Sequence, residues 1–304
     1  MSRRRQLTAV FGAAAILLIA VGYLASARNP DPPARATRVA ASTPAASVPS
    51  TPPTAPSPAP TAAVGGPTKA GRIVVFGDSL MHEAHAFLAW DLADLGPIET
   101  HTYPTTAPCD FRESFDRALV NPPSMAVFEF SGNAMTNCMH NDDGSVADTP
   151  GVAARYATDA ASITERFAAS GTTVVWVDAP RGRPGSDRTN QFSGPEPFTA
   201  AIYRAIAHRF DALGLDVRFV AAGRAVLTER GAWTATLPCD PADTAAGACQ
   251  NGTAVVRAPD GAHFCPSAIT DADGTCSVWS SGAWRYADAI ARALRAIASP
   301  PLAT

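Results

Sequence analysis

The chain has 304 residues, 46% of them hydrophobic and 17% charged, with 24 Lys and Arg against 27 Asp and Glu for a net charge of −3. So even a balance leaves no electrostatic footprint for a polyanion, which argues against nucleic acid as a partner. No internal repeat is evident, so solenoid and propeller architectures are set aside as well.

At the N-terminus Ser2-Arg3-Arg4-Arg5 leads into Leu7 to Ala25, nineteen residues without a charge and long enough to cross a bilayer as a helix. Basic residues just ahead of the span place the N-terminus in the cytoplasm and the rest of the chain outside. Ala25-Ser26-Ala27 also fits a signal-peptidase site, so residues 1–27 read either as an uncleaved anchor or as a signal peptide. The apolar run exceeds the about 7–15 residues of a usual signal core, which favours the anchor; cleavage would make the protein secreted. Residues 28–70 hold eleven of the chain's 27 prolines among Ala, Ser and Thr. With almost no large apolar side chain this stretch cannot bury enough surface to fold, and it reads as an extended, semi-stiff spacer.

Residues 71–304 suffice for one domain with a sizeable core. Its first strand is the apolar run Ile73-Val74-Val75-Phe76, which breaks at Gly77 and presents Asp78 and Ser79 where a helix begins. Apolar spacing carries that helix from Met81 to Leu95. A strand from Ile98 to Tyr103, a loop with Cys109 and a second buried strand from Met125 to Phe130 follow. A helix over Gly151 to Ser170 precedes the strand Thr172 to Asp178, and a loop rich in Arg, Gly and Pro leads to a helix over Glu196 to Leu213. The strand Asp216 to Val220 and a closing helix over Ser281 to Ala298 complete the order. Strands separated by helices imply an α/β fold with a parallel sheet, hence a three-layer α/β/α sandwich with its site at the carboxyl ends of the strands.

Three separated pieces then combine. Ser79 sits at a helix start, where backbone N–H groups and the helix dipole favour a developing oxyanion. The strand ending at Phe130 is followed by Ser131-Gly132-Asn133, and Asp260-Gly261-Ala262-His263 lies near the other end of the chain. Gly77-Asp78-Ser79-Leu80, Gly132-Asn133 and Asp260-x-x-His263, in that order, resemble the SGNH (GDSL) family of esterases, lipases and acyltransferases over about residues 72–298. A Gly-x-Ser-x-Gly elbow does not fit, because Met81 stands where its last glycine belongs.

The resemblance implies a five-stranded, flavodoxin-like sheet in the order 2-1-3-4-5. A serine hydroxyl needs a base near pH 7, and neutral imidazole suits that task. Ser79 is then the nucleophile, His263 the base and Asp260 the group that orients it. The Ser79 N–H and the Asn133 amide are candidate oxyanion donors, and Asp78, Gly132 and Arg181 candidate substrate contacts. The family's third donor is the N–H of a glycine after the second strand. Here that loop reads Tyr103-Pro104-Thr105-Thr106-Ala107-Pro108, so Thr105 or Thr106 stands in.

The six cysteines form an even set in a domain expected outside the cytoplasm, where disulfides persist, and allow 15 connectivities. Cys239 with Cys249 and Cys265 with Cys276 each close a short local loop, leaving Cys109 with Cys138 to tie the loops on either side of the serine strand. A rival zinc site through His263 and Cys265 lacks a Cys-x-x-Cys pair, so no metal and no cofactor are expected. Arg181, Arg183 and Arg188 lie in the loop after the Trp176 strand, at the rim where substrate belongs.

These features predict an extracytoplasmic serine esterase or O-acyltransferase, tethered to the membrane through residues 1–27. Arg and Ala are abundant while Lys occurs only at Lys69, the bias of a high-GC, actinobacterium-like genome. Acyl esters of envelope carbohydrate or glycolipid are the expected substrates. The rival from another class is an envelope module that keeps the fold to bind glycan without catalysis.

Overall fold

The computed structural model describes residues 71–185, 197–267 and 276–299. The candidate membrane segment, the Pro-rich spacer, Arg188 and the expected helix start at Glu196 lie outside the described residues.

Strand β1 (Ile73–Gly77) is buried along its whole length. It pairs in parallel with β2 (Ile98–Thr102) on one side and β3 (Met125–Glu129) on the other, with Gly77 opposite both Thr102 and Glu129. Strands β4 (Thr173–Val177) and β5 (Val217–Val220) extend the sheet in parallel, and the order is β2-β1-β3-β4-β5. Parallel strands need crossovers that cover both faces, which is why the central strands read as unbroken apolar runs rather than alternating ones.

The two faces of β1 enter separate cores. Val74 and Phe76 point into the layer made by α2 (Arg112–Val120), α3 (Thr149–Ala169) and α4 (Phe198–Asp211). Ile73 and Val75 point toward α1 (Ser79–Asp91) and α6 (Ser281–Ala298), where Leu88, Ile290 and Leu294 meet them. Phe76, Phe128 and Trp176 occupy matched positions on β1, β3 and β4, and with Tyr203 of α4 they stack at centroid distances of 5.3, 4.9 and 4.5 Å. Each buries a large apolar surface, and the offset stacking adds about 0.5–1.5 kcal/mol per pair. The polar tips are also satisfied: the Trp176 Nε1–H donates to the Thr164 hydroxyl at 2.8 Å and the Tyr203 hydroxyl to the Phe130 carbonyl at 2.8 Å.

The expected helix at 81–95 is shorter at its end and begins earlier, at Ser79, because Asp78 caps it by accepting the Leu80 N–H at 3.1 Å. Expected as part of a loop, residues 112–120 form α2. Only Phe115 and Ala118 of this helix are buried, and its cap residue Phe111 makes no side-chain cap bond, so neither a strong apolar stripe nor a start signal announces it. The region between β5 and α6 also carries a small antiparallel pair, β6 (Thr236–Pro238) with β7 (Thr253–Val255), and the short α5 (Pro241–Ala245) between them.

Candidate active site

Ser79 is the first residue of α1, directly beyond the carboxyl end of the central strand β1. The first N–H groups of a helix have no partner within it, so the backbone there faces outward as a set of donors. Gly77 lets the chain turn this sharply, since a Cβ there would lie 2.4 Å from the Cβ of Met81 in the first turn of α1. Ser79 is 9% exposed.

His263 arrives from the loop between β7 and α6. Its Nε2 lies 2.9 Å from the Ser79 Oγ, and its Nδ1 lies 2.6 Å from Asp260 Oδ2. Asp260 uses its other oxygen to accept the Ala262 N–H at 2.9 Å and the His263 N–H at 3.1 Å, which closes the Asp-Gly-Ala-His turn around the imidazole. The hydrogen bond from His263 holds the Asp260 carboxyl well below the usual carboxylate range. An ionised carboxylate only accepts, so Nδ1 carries the hydrogen, and in the neutral imidazole Nε2 presents its lone pair to the Ser79 hydroxyl. The same bond to Asp260, aided by the charges of Glu83 and Asp78, raises His263 above its ordinary value against the opposing effect of burial.

Asn133, on the segment after β3, stands beside this pair. Its Nδ2 donates to Asp78 Oδ2 at 3.0 Å and to the Thr106 carbonyl at 3.2 Å, and the Asn133 backbone carbonyl accepts from the Tyr156 hydroxyl at 3.1 Å. The amide therefore bridges the segments after β1, β2 and β3. Both of its amide hydrogens are engaged, the longer bond being the one to Thr106. Gly132 precedes it at φ +112°, and a Cβ there would meet the Phe198 ring at 2.9 Å. Buried in this way, Gly132 contributes backbone shape to the loop.

In the glycine-free loop after β2, Thr105 has a φ of +63°, in the left-handed region. The loop thus keeps the backbone that a glycine takes freely, at a steric cost of roughly 1–2 kcal/mol for a residue with a Cβ. The Cys109–Cys138 disulfide joins this loop to the segment after Asn133, and Cys239–Cys249 and Cys265–Cys276 are the other bonded pairs. With Cys265 in a disulfide and His263 between Asp260 and Ser79, both ligands of the rival zinc site are otherwise engaged.

Asp78 requires a correction. Expected at the substrate surface, it is 0% exposed and accepts from the Ser131 N–H at 2.7 Å, the Ser131 hydroxyl at 2.6 Å, the Leu80 N–H and Asn133. It acts as an internal anchor of the loops, because a buried carboxylate without such donors is prohibitively costly. Arg181 is half-buried after β4, and its carbonyl accepts from Arg257 Nη2 at 2.9 Å, which links the loop after β4 to the His263 turn. Arg183 reaches the same turn, its N–H donating to the Gly261 carbonyl at 2.9 Å.

Three charged residues near the site escaped the sequence reading. Arg257, 2% exposed, donates to the Ala262 carbonyl at 2.8 Å and lies under the His263 turn, and burial lowers its pKa to about 10. Glu129, 0% exposed at the end of β3, accepts the Met81 N–H at 3.2 Å; burial, then the charge of Asp78, push it well above the carboxylate range, so its neutral acid is favoured. Glu83, on α1, is the third. A charge inside the apolar run Met125 to Phe130 was the available signal for Glu129.

No protein-family model and no curated protein matches the chain. Among solved structures, it is similar to a candidate acylhydrolase of Bacteroides fragilis at 14% identity and a TM-score of 0.46, covering 77% of this chain and 91% of that one. A GDSL-like lipase of Bacteroides thetaiotaomicron matches at 12% identity and a TM-score of 0.44, over 75% of this chain and 87% of its own. An acetyl-xylooligosaccharide esterase of Geobacillus matches at 10% identity and a TM-score of 0.38, over 52% of this chain and 80% of its own. At such distances these likenesses decide nothing about chemistry. The fold rests on the strand order of this chain, and the site on its own hydrogen bonds.

Proposed function

We propose that this chain is a serine-dependent ester hydrolase or O-acyltransferase of SGNH type. The observation that carries the reading is the continuous hydrogen-bonded path from the Ser79 hydroxyl through His263 to Asp260, formed by residues 184 positions apart at the end of the central strand. A capping serine has no need of such a partner.

In this reading the Ser79 Oγ attacks the carbonyl carbon of an ester while its proton passes to His263 Nε2. The carbonyl oxygen becomes an oxyanion, met by the N–H groups at the start of α1 and by the Asn133 amide. Collapse breaks the bond to the leaving alkoxide, which takes the proton from His263, and leaves an acyl group on Ser79. His263 next deprotonates an acceptor hydroxyl, which attacks the acyl carbon and releases Ser79. Water as acceptor gives an esterase, and a sugar hydroxyl gives a transferase.

The apolar segment and Pro-rich spacer ahead of the domain, with three disulfides within it, support an extracytoplasmic setting. There the available acyl esters are those of envelope carbohydrate or glycolipid. The test is covalent labelling of the full chain in detergent by a fluorophosphonate probe, followed by ester turnover with and without a sugar acceptor. Wild-type protein should label at Ser79, and Ser79→Ala should not. A properly folded wild type that neither labels nor turns over any ester would leave the glycan-binding module as the reading.

A further inference from the structure

Four residues along α1 from Ser79, on the same side of the helix, stands Glu83. It is 2% exposed and shares its buried face with Leu80, Ala84 and Leu88, where an apolar residue would be the ordinary choice. A carboxylate persists in such a place only if donors reach it. They come from the far end of the chain: the Phe264 N–H at 2.6 Å and the Cys265 N–H at 3.1 Å both donate to Glu83 Oε2. These are the two residues that directly follow His263.

We infer that Glu83 is a positioning residue for the base, tying the backbone after His263 to the helix that carries Ser79 and so fixing imidazole and hydroxyl in one frame. The inference rests on the proposed function only in calling His263 a base. Other contacts hold the His263 turn from other sides. Arg257 takes the Ala262 carbonyl, the Ser280 hydroxyl donates to the Phe264 carbonyl at 2.9 Å, and Cys265 is bonded to Cys276. None of these residues lies on α1, and they reach it through the packing of α6 and the Phe87–Trp279 ring contact. Glu83 instead joins the backbone after His263 directly to the helix that carries Ser79.

The charge of Glu83 has a second consequence. The groups whose charges act on His263 are Asp260 on its own turn, with Glu83 on α1 and Asp78 at the start of α1, and all three favour the imidazolium. Arg257 beneath the turn acts on Asp260 and Glu83. Burial raises Glu83 above the ordinary carboxylate value, and the His263 charge and the two N–H groups offset that only in part. Glu83 therefore strengthens its hold on His263 as the imidazole takes up the proton.

The experiment compares Glu83→Gln and Glu83→Ala in the full chain. Glutamine keeps an oxygen for the two N–H groups and loses the charge, whereas alanine loses both. Glu83→Gln should retain slow hydrogen exchange at Phe264 and Cys265. It should also move the His263 imidazole titration, followed by NMR, and the acid limb of kcat/KM to lower pH by about half a unit or more. Glu83→Ala should speed exchange at those two amides and lower kcat by about 10- to 100-fold with KM nearly unchanged, because the base is displaced and the binding surface is not. A folded Glu83→Ala with wild-type kcat and exchange, or an unmoved His263 titration in Glu83→Gln, would overturn the assignment. If Glu83→Ala does not fold, the titration of Glu83→Gln decides alone. Exchange and titration need no substrate, so they judge Glu83 even if the wild type proves inert toward esters.

Discussion

Replacing Asp260 by asparagine keeps the volume of the side chain and reverses one hydrogen bond. In the native turn one Asp260 oxygen accepts the Ala262 and His263 N–H groups while the other accepts His263 Nδ1 at 2.6 Å. The asparagine oxygen can retain the two backbone donors, which leaves its NH2 facing Nδ1. The imidazole must then accept at Nδ1 and carry its hydrogen on Nε2, so the lone pair that faced the Ser79 Oγ is lost. The Asp260 side chain is 51% exposed, so its ion pair with His263 contributes only about 0–1 kcal/mol to stability, and the variant should unfold near the wild-type midpoint. Turnover is another matter: a wrong tautomer costs about 10³–10⁴ in kcat, or about 4–5.5 kcal/mol of barrier. Removing the largest influence on His263 should also lower its pKa toward or below the ordinary histidine range. The assay is steady-state hydrolysis of an activated acetyl ester across pH, beside an NMR titration of His263. Turnover within tenfold of wild type at every pH would refute the assignment of Asp260 as the orienting group.

Ser79→Ala should fold normally, since the first turn keeps its Asp78 cap, yet lose probe labelling and ester cleavage; residual turnover at wild-type rate would remove Ser79 from the mechanism. Thr105→Gly relieves a left-handed conformation costing about 1–2 kcal/mol and adds about 0.4–1 kcal/mol of unfolded-state entropy, so denaturant melts should show a net change from about zero to 1.5 kcal/mol in favour of the variant. Stability should also follow pH through the Asp260–His263 pair. Asp260 is depressed, so its contribution is present above its unfolded value near 3.9 and lost as pH falls through the folded one; His263 is raised, so its contribution is complete below about 6.5 and lost as pH rises through the folded value. Wild type should thus gain most over Asp260→Asn between about pH 4 and 6.5, and parallel melts across that window would disprove the linkage. Replacing Cys109 and Cys138 by alanine should reduce turnover beyond the effect of a stability loss of about 2–4 kcal/mol, whereas removing Cys239 and Cys249 should leave turnover close to wild type; equal losses would deny Cys109–Cys138 its special place.

Ser79, Asn133 and the Asp260–His263 turn are legible only as a set: each alone is an ordinary cap, loop or turn, and their order along the chain carries the resemblance. Parallel strands separated by helices give the sheet type, while the strand order was implied only by the resemblance these blocks carry. Helix α5 also had its signal, Asp240-Pro241-Ala242-Asp243, in which Asp240 caps Ala242 and Asp243 reaches back to the Asp240 N–H at 2.9 Å. It went unread because the helix is a turn and a half long and lies among Ala, Gly and Thr. Other residues were out of reach for a deeper reason. Glu83 looks like an exposed helix acid until Phe264, 181 positions away, is known to point its N–H at it. Asp78 looks like a site residue because it adjoins Ser79, and only the packing of the β3 segment turns its carboxylate inward. Long-range backbone donors have no sequence period and no preferred residue type, so a buried acid that serves them resembles any other acid.

The acids around His263 also bear on how such a site can accelerate a reaction. Asp260, Glu83 and Asp78 all favour the protonated imidazole. A neutral His263 gives these charges little to act on. In the proposed mechanism, the proton that passes from Ser79 to Nε2 makes an imidazolium amid Asp260, Glu83 and Asp78, and their attraction is realised at that moment. Interactions that strengthen only on the way to the transition state lower the barrier, whereas equal binding of the ground state would not. The same negative charge would repel the oxyanion forming on the other side of Ser79. Asp78, the acid next to the nucleophile, has its Oδ2 occupied by the Ser131 N–H, the Ser131 hydroxyl and the Asn133 amide, and its Oδ1 by the Leu80 N–H. Those donors spread its charge into the loops, and the start of α1 faces the oxyanion with its own N–H groups and the positive end of the helix. In that mechanism the base is served by acids of the His263 turn and of the first turns of α1, and the oxyanion by the N–H groups at the start of the same helix.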